Sequence, residues 1–196
     1  MCPGKNSFLH VLAVLFCLTA IPLSAQSQAA FGPSAFDLSG KSVDPLTASG
    51  GQVVVLIFVR TNCPVSNRYA PTIQQLSQAF AGKAKFWLIY PDKNESSQTI
   101  LAHDHDYRYD LPALRDPQHL LVKKANITIT PEAAVFAPDG HLVYHGRIDN
   151  WFVDFGRKRT VPTTHDLRDA IDAAIAGTPA TLPTQQAVGC YVSDLD

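Results

Sequence analysis

The stretch Val53-Val54-Val55-Leu56-Ile57-Phe58-Val59-Arg60-Thr61-Asn62-Cys63-Pro64-Val65-Ser66-Asn67-Arg68-Tyr69-Ala70-Pro71 decides how this chain folds. Val53 to Val59 is an unbroken apolar run, the pattern of a strand buried on both faces. Beyond it, Ile73, Leu76, Ala79 and Phe80 recur at helical spacing, so Ser66 to Phe80 is expected to be a helix. Cys63 falls at the junction. A thiol at a helix N-terminus faces unpaired backbone N–H groups and the positive end of the helix dipole. Both favour the thiolate, the form that attacks disulfides and peroxides. Cys63 is therefore a candidate nucleophile.

Two further apolar runs, Lys85 to Tyr90 and Ala133 to Ala137, read as strands. The second leads through the turn Pro138-Asp139-Gly140 into His141 to Arg147, where Leu142, Tyr144 and Gly146 alternate, so the two segments make a β-hairpin. Phe31 to Gly51 is rich in Gly, Ser and Pro and has room for one edge strand near Phe36 and Leu38. Helices are expected over Ser96 to Tyr107 and Gln118 to Lys124. In a last helix, Thr163 or Thr164 is the N-cap, Leu167, Ile171, Ala174 and Ile175 share one face, and Gly177 lies just past the end. Strand, helix, strand requires a right-handed parallel crossover, and the hairpin adds an antiparallel edge. The fold class is α/β, a central mixed β-sheet flanked by helices on both faces. After Gly177, Pro179 and Pro183 mark an extended, loosely packed tail.

At the other end, Lys5, an apolar stretch from Phe8 to Leu23 and then Ser24-Ala25-Gln26-Ser27-Gln28-Ala29 have the layout of a secretory signal peptide. Residues 1–25 form it, with cleavage after Ala25 or as late as Ala29. An uncleaved anchor is the competing reading, but the stretch is short for a bilayer span, and no stable membrane anchor is expected after cleavage. The location implied is secreted or periplasmic. Cleavage removes Cys2 and Cys17 and leaves Cys63 and Cys190, two thiols in an oxidising compartment. What remains is one domain, residues 30–177, and a tail, residues 178–196, that carries Cys190. With 16 basic and 17 acidic residues and no block of one sign, the chain offers no nucleic-acid surface.

Four features together resemble the thioredoxin superfamily, and within it the secreted redoxin or peroxiredoxin-like (AhpC/TSA-type) domains. Cys63-Pro64-Val65-Ser66 stands at the strand-to-helix position where thioredoxins hold Cys-x-x-Cys. Ala70-Pro71 matches the proline that kinks their first helix. Thr130-Pro131, just before the third strong strand, matches their cis proline, which faces the active-site sulfur. The Pro-Asp-Gly hairpin then leads into the last helix. The resemblance implies a thioredoxin-like fold and a thiol-dependent oxidoreductase acting on protein disulfides, thiols or a peroxide. It also implies an electron donor of unidentified kind and no cofactor or metal. Three positions depart from the family patterns. Ser66 replaces the second motif cysteine, so an internal dithiol cycle cannot close within the motif. Leu56 and Arg60 stand where peroxiredoxins keep a proline and a threonine, and Asn67 where secreted copper chaperones keep a cysteine.

The catalytic candidates are thus Cys63, Ser66, Pro131 and Cys190, with Arg60, Thr61, Arg68 and Thr130 in support. Cys63 reads as a nucleophile, or else as a buried structural thiol. The Ser66 hydroxyl either caps the helix or donates to the Cys63 thiolate one turn away. Arg60 and Arg68 are close enough in sequence to lower the thiol pKa. Fully extended, the tail from Gly177 reaches about 43 Å, more than the diameter of just under about 40 Å for such a domain, so Cys190 can reach Cys63 and resolve it. An independent thiol, an intermolecular bridge or a metal contact are the other readings. His103-Asp104-His105-Asp106 reads as a solvated helix end rather than a metal site, and His119, His141, His145 and His165 as single surface residues. The loop with Trp151 and Phe152 either recognises a partner or packs on the domain, and Arg147 is expected to pair with Asp149 or Asp154. The class opposed to an enzyme is a thioredoxin-fold binding or scaffold module that handles a partner protein or metal without turnover.

Overall fold

The β-branched run from Val53 is the spine of the molecule. The computed structural model describes Met1 and residues 35–179, 185–193 and 195. Apart from Met1, the segment expected to be a signal peptide, both expected cleavage positions and the first residues of the expected domain lie outside the described residues. Among the described residues, no helix is long and apolar enough to cross a membrane.

Strand β3, Val53–Phe58, is buried at every residue and lies between β4, Ala84–Tyr90, and β7, Glu132–Phe136. It is parallel to β4 and antiparallel to β7. Outside these lie β5, Ala113–Arg115, parallel to β4, and β8, Leu142–Gly146, antiparallel to β7. A short hairpin, β1 at Ala35–Asp37 and β2 at Ser42–Val43, closes the far edge, for an order β2-β1-β5-β4-β3-β7-β8. The mixed sheet anticipated from the alternation of elements is therefore present, with β5 and the second edge strand as additions. Both are two or three residues long, too short to show a period in sequence.

Alternate residues of β3 feed two cores. Val53, Val55 and Ile57 pack with Ile73 and Leu76 of helix α1, Pro64–Ala79, and with Leu167 and Ile171 of α4, Asp166–Ala176. Ile100 of α2, Ser97–Asp106, joins the same core. Val54, Leu56 and Phe58 pack with Leu121, Val122 and Ala125 of α3, Leu120–Ala125. Helices thus cover both faces of the sheet, which is why its central strand tolerates no polar residue. Ile57 is fully buried. Ile57→Ala is expected to cost about 2–5 kcal/mol, read as a lower urea midpoint at unchanged slope.

Several local expectations are corrected. The N-cap of α4 is His165 rather than Thr163 or Thr164, and its side chain makes no capping bond. Thr163 and Thr164 instead donate their amides to Asn150 Oδ1, at 2.7 and 3.2 Å. Arg147 pairs with neither Asp149 nor Asp154 but with the Asp166 carboxylate, through Nε and Nη2 at 3.1 Å each. His103 and His119 are buried, not solvated: His103 contacts Tyr90 Oη at 2.8 Å, and His119 Nε2 lies 2.9 Å from Pro91 O. Trp151 and Phe152 pack on the Tyr69 ring, with centroids 5.5 and 5.7 Å away, while Tyr69 donates to Asp149 at 2.6 Å. Phe152 opens a small hairpin of β9, Phe152–Asp154, and β10, Arg157–Lys158.

The tail is the largest correction. It is extended, but between Ala187 and Val192, both buried, it is closely packed. There it forms β11, Cys190–Tyr191, antiparallel to β6, Ile129–Thr130. Residues 180–184 lie outside the described residues.

Candidate active site

Cys63 is the N-cap of α1, with Pro64 at its first position, where the missing N–H costs nothing. Its carbonyl accepts the Asn67 amide at 3.0 Å and its amide donates to Arg60 O at 3.3 Å, so backbone on both sides fixes the thiol. The residue is fully buried. Its thiol donates to Thr130 O at 3.2 Å, and Thr130 precedes Pro131 through a cis peptide bond. The residue that meets the sulfur is thus Thr130, through its carbonyl, with Pro131 next in the chain.

Thr130 also receives the tail. In register, Cys190 pairs with Thr130 and Tyr191 with Ile129. The Val192 amide donates to Thr128 O at 2.9 Å, and the Thr130 hydroxyl donates to Cys190 O at 3.3 Å. Glu132 supports this edge from below, its carboxylate accepting the Thr128 and Ile129 amides at 3.1 and 3.3 Å. At Gly189 a Cβ would stand 2.0 Å from Thr130 O, so only glycine lets the two backbones approach this closely. The consequence is that Cys190 lies beside Cys63, both as free thiols.

The two thiols perturb one another in opposite senses. Burial alone would raise the Cys63 pKa. The Cys190 thiol, the Ser66 hydroxyl and the Ser66 and Val65 amides all donate toward the sulfur and hold it below the ordinary thiol value. Cys190 is pushed up to about 11, by burial first and then by donating its proton to Cys63 and by repulsion from a Cys63 thiolate. Ser66 Oγ is fully buried and, its influence on the Cys63 sulfur apart, has no hydrogen-bond partner. Ser66→Ala is therefore expected to raise the Cys63 pKa. Losing one bond to a charged group reduces the thiolate fraction by about tenfold at a pH below the thiol pKa, while the more basic thiolate is about threefold more nucleophilic. On the acid side of its midpoint the alkylation rate of Cys63 should fall by about threefold, with the midpoint moved to higher pH.

Of the other supporting residues, Arg60 and Thr61 bond elsewhere than to the Cys63 sulfur. Arg60 is not among the main influences on Cys63. Its Nη2 pairs with Asp92, and its Nη1 donates to Tyr191 O at 3.3 Å, so it fastens the tail. Arg68 is exposed on α1. Thr61 donates its amide and hydroxyl to Glu95 Oε1, at 2.8 and 2.7 Å. Glu95 is buried, and burial raises its pKa. The Asn67 side chain links Thr61 O, at 3.0 Å, to His103 Nε2, at 2.9 Å. Glu95, Asn67 and His103 thus brace the loop before Cys63. Sequence gave no signal for them, since each reaches the loop from another element or another turn. Among the described residues no group of three metal-ligating side chains forms a metal site.

With this geometry in view, the family model for the AhpC/TSA family matches residues 26–145. The chain belongs to the AhpC/TSA family. The matched residues of this AhpC/TSA protein include Cys63 and the cis-proline loop but not Cys190, which comes from the tail. Its solved structural relatives share the thioredoxin-like fold. A hypothetical protein from Sinorhizobium meliloti 1021 aligns with TM-score 0.69 at 21% identity, over 81% of this chain and 88% of that one. A secreted Mycobacterium tuberculosis disulfide oxidoreductase aligns with TM-score 0.50 at 20% identity, over 74% and 94%. A thioredoxin-family thiol:disulfide interchange protein from Chlorobium tepidum TLS aligns with TM-score 0.53 at 16% identity, over 74% and 94%. No curated protein matches the chain in sequence.

Proposed function

We propose that this protein is an exported thiol oxidoreductase in which Cys63 is the nucleophile and Cys190 resolves it. The observation that carries the reading is the pairing of β11 with β6, which sets Cys190 beside the buried Cys63. A solitary structural thiol would not need a second cysteine donating to it. Export rests on the N-terminal layout of charge, apolar stretch and small residues.

Two oxidants fit the site. With a disulfide, the Cys63 thiolate attacks one sulfur, forms a mixed disulfide and expels the other as thiolate. With a peroxide, it attacks the terminal oxygen, becomes a sulfenic acid and releases the alcohol or water. In either case Cys190 gives up its proton and attacks the Cys63 sulfur. This forms the Cys63–Cys190 disulfide and releases a thiol or water. The oxidant gains two electrons and the cysteine pair loses two. Order is built in: Cys190 is held protonated while Cys63 is an unreacted thiolate. Once Cys63 has reacted, that charge is gone and the part of the Cys190 shift that it causes goes with it, while the part due to burial stays.

The test is non-reducing peptide mass mapping after one equivalent of a small disulfide or of hydrogen peroxide. A Cys63–Cys190 link is expected, and the faster oxidant identifies the substrate class. A product with sulfenic acid or adduct on Cys63 and a free Cys190 would refute the resolving role. No modification of Cys63 at all would leave the non-catalytic binding module as the function.

A further inference from the structure

We propose that the β9–β10 hairpin docks on an anionic phospholipid surface, with Phe155 at its apex entering the boundary between headgroups and acyl chains. The inference is independent of the thiol chemistry proposed above, since no part of it involves Cys63 or Cys190.

The hairpin stands apart from the rest of the fold. From Val153 to Val161 the chain reads Val-Asp-Phe-Gly-Arg-Lys-Arg-Thr-Val, and every residue of that run is exposed. β9 and β10 pair with each other in a sheet of their own. Asp154 opposes Arg157 in the register, so Phe155 and Gly156 make the two-residue turn between the strands. Gly156 has φ of 80°, a left-handed value that glycine adopts without strain. The turn therefore carries the largest apolar side chain of the run at its apex.

Apolar surface is concentrated there. Val153 and Phe155 are 40% and 62% exposed, and both line a groove of about 500 Å³ with Tyr191 of the tail, which is 73% exposed. Three large apolar side chains gathered at one place mark a contact surface rather than scattered exposure.

Charge decides what the surface meets. Arg157, Lys158 and Arg159 follow the turn directly, and Asp154 is the single acid between Trp151 and His165. The chain as a whole has 16 basic and 17 acidic residues, so the hairpin is a local excess of positive charge. Lys158 lies 4.5 Å from the centroid of the Trp151 ring, which holds its cation behind the apex. An apolar apex with cations set just behind it matches the layering of an anionic bilayer: the phosphates stand level with the cations, and the acyl boundary receives the apolar side chains. A protein partner fits less well. A specific protein interface takes about 800 Å² from each side and is poor in lysine, whereas the hairpin offers a narrow apex followed by cations.

The experiment uses the chain from Phe31 to Asp196, because the apolar stretch Phe8 to Leu23 would bind lipid by itself. Among the described residues every member of the two cores lies between Ala35 and Val192, so this chain carries all that the fold needs. Asp194 and Asp196 lie outside the described residues and are kept in every protein compared. Binding is read by co-sedimentation with vesicles of phosphatidylcholine alone and of phosphatidylcholine with phosphatidylglycerol. Two variants accompany the parent: Phe155→Ser, and the combination of Arg157→Gln, Lys158→Gln and Arg159→Gln. All four side chains are exposed, and an unchanged urea midpoint shows that the variants are folded.

The parent is expected to partition into the anionic vesicles at least about 25-fold more strongly than into the neutral ones, at roughly fivefold for each net positive charge of the hairpin. Added salt should weaken that binding. The triple glutamine variant should lose about 100-fold, again at roughly fivefold per cation. Phe155→Ser should lose at least about tenfold, the share of a buried aromatic side chain. Equal partition into the two kinds of vesicle, or equal partition of the parent and the triple variant into the anionic kind, would overturn the proposal. Partition that survives Phe155→Ser unchanged would overturn the entry of the apex into the bilayer. A parent protein that binds soluble polyglutamate as tightly as the anionic vesicles would assign the hairpin to an acidic polypeptide instead of a lipid surface.

Discussion

Gly189→Val is expected to disconnect Cys190 from Cys63 while leaving the domain folded. A Cβ at Gly189 would overlap Thr130 O at 2.0 Å, and that atom is main chain held in β6, so it cannot swing aside. The tail must move instead. β11 belongs to a two-stranded ladder separate from the seven-stranded sheet, so its release removes the Val192–Thr128 and Thr130–Cys190 bonds, the Arg60–Tyr191 contact and the packing of Val188, Cys190 and Val192 at the margins of the two cores, but no strand of that sheet. Two consequences are measurable. Formation of the intramolecular disulfide should slow by at least about 100-fold, because an effective concentration set by contact gives way to that of a flexible tether. Cys63, uncovered, should react readily with bulky maleimides that the parent protein resists. An unchanged rate of disulfide closure would show that the β11–β6 ladder does not position Cys190.

Cys190→Ser is expected to separate the first chemical step from turnover. The serine hydroxyl can occupy the same place beside Cys63 and can still donate to the thiolate, so a first equivalent of oxidant should be consumed at a rate within about threefold of the parent. A hydroxyl cannot resolve a mixed disulfide or a sulfenic acid. Steady-state turnover with a disulfide or peroxide should therefore fall by at least about 100-fold, since closure loses the effective concentration of a contacting thiol. Mass mapping should find the adduct or sulfenic acid retained on Cys63. Undiminished turnover would assign resolution to an external thiol and withdraw it from Cys190.

How far the chain could be read without coordinates depended on the range of the interactions concerned. Val53 to Val59, the periodic residues of α1 and the Pro138-Asp139-Gly140 turn announce their structures because periodicity and turn chemistry are local. The position of Cys63 at the strand-to-helix junction follows from them directly. Helix α4 shows the limit. Its apolar face and Gly177, with φ of 65°, are plain in the sequence, but its start is not. Two threonines with ordinary capping chemistry were diverted to Asn150, a residue brought near only by folding. His103 was deceptive for a related reason. A His-Asp-His-Asp run looks solvated, yet one imidazole turns inward to meet Tyr90 and Asn67 on two other elements.

The same division applies to the active site. Sequence alone determined the α/β fold, the strand–Cys–helix junction and the absence of a second cysteine in the motif, because all three are written in consecutive residues and their spacing. It also placed Thr130-Pro131 before a strand. Only the tertiary structure decided the partner of Cys63. From Gly177 onward no periodicity constrains the path of the tail, and chain length alone permits Cys190 to reach Cys63 without requiring it to do so. What places it there is the fit of Gly189 against Thr130 O, the antiparallel ladder to β6 and the bond from Arg60 to Tyr191. These are contacts between residues more than fifty positions apart in the chain. They bring together the buried thiol and the only other cysteine of the domain and tail, and so turn one motif sulfur into a pair.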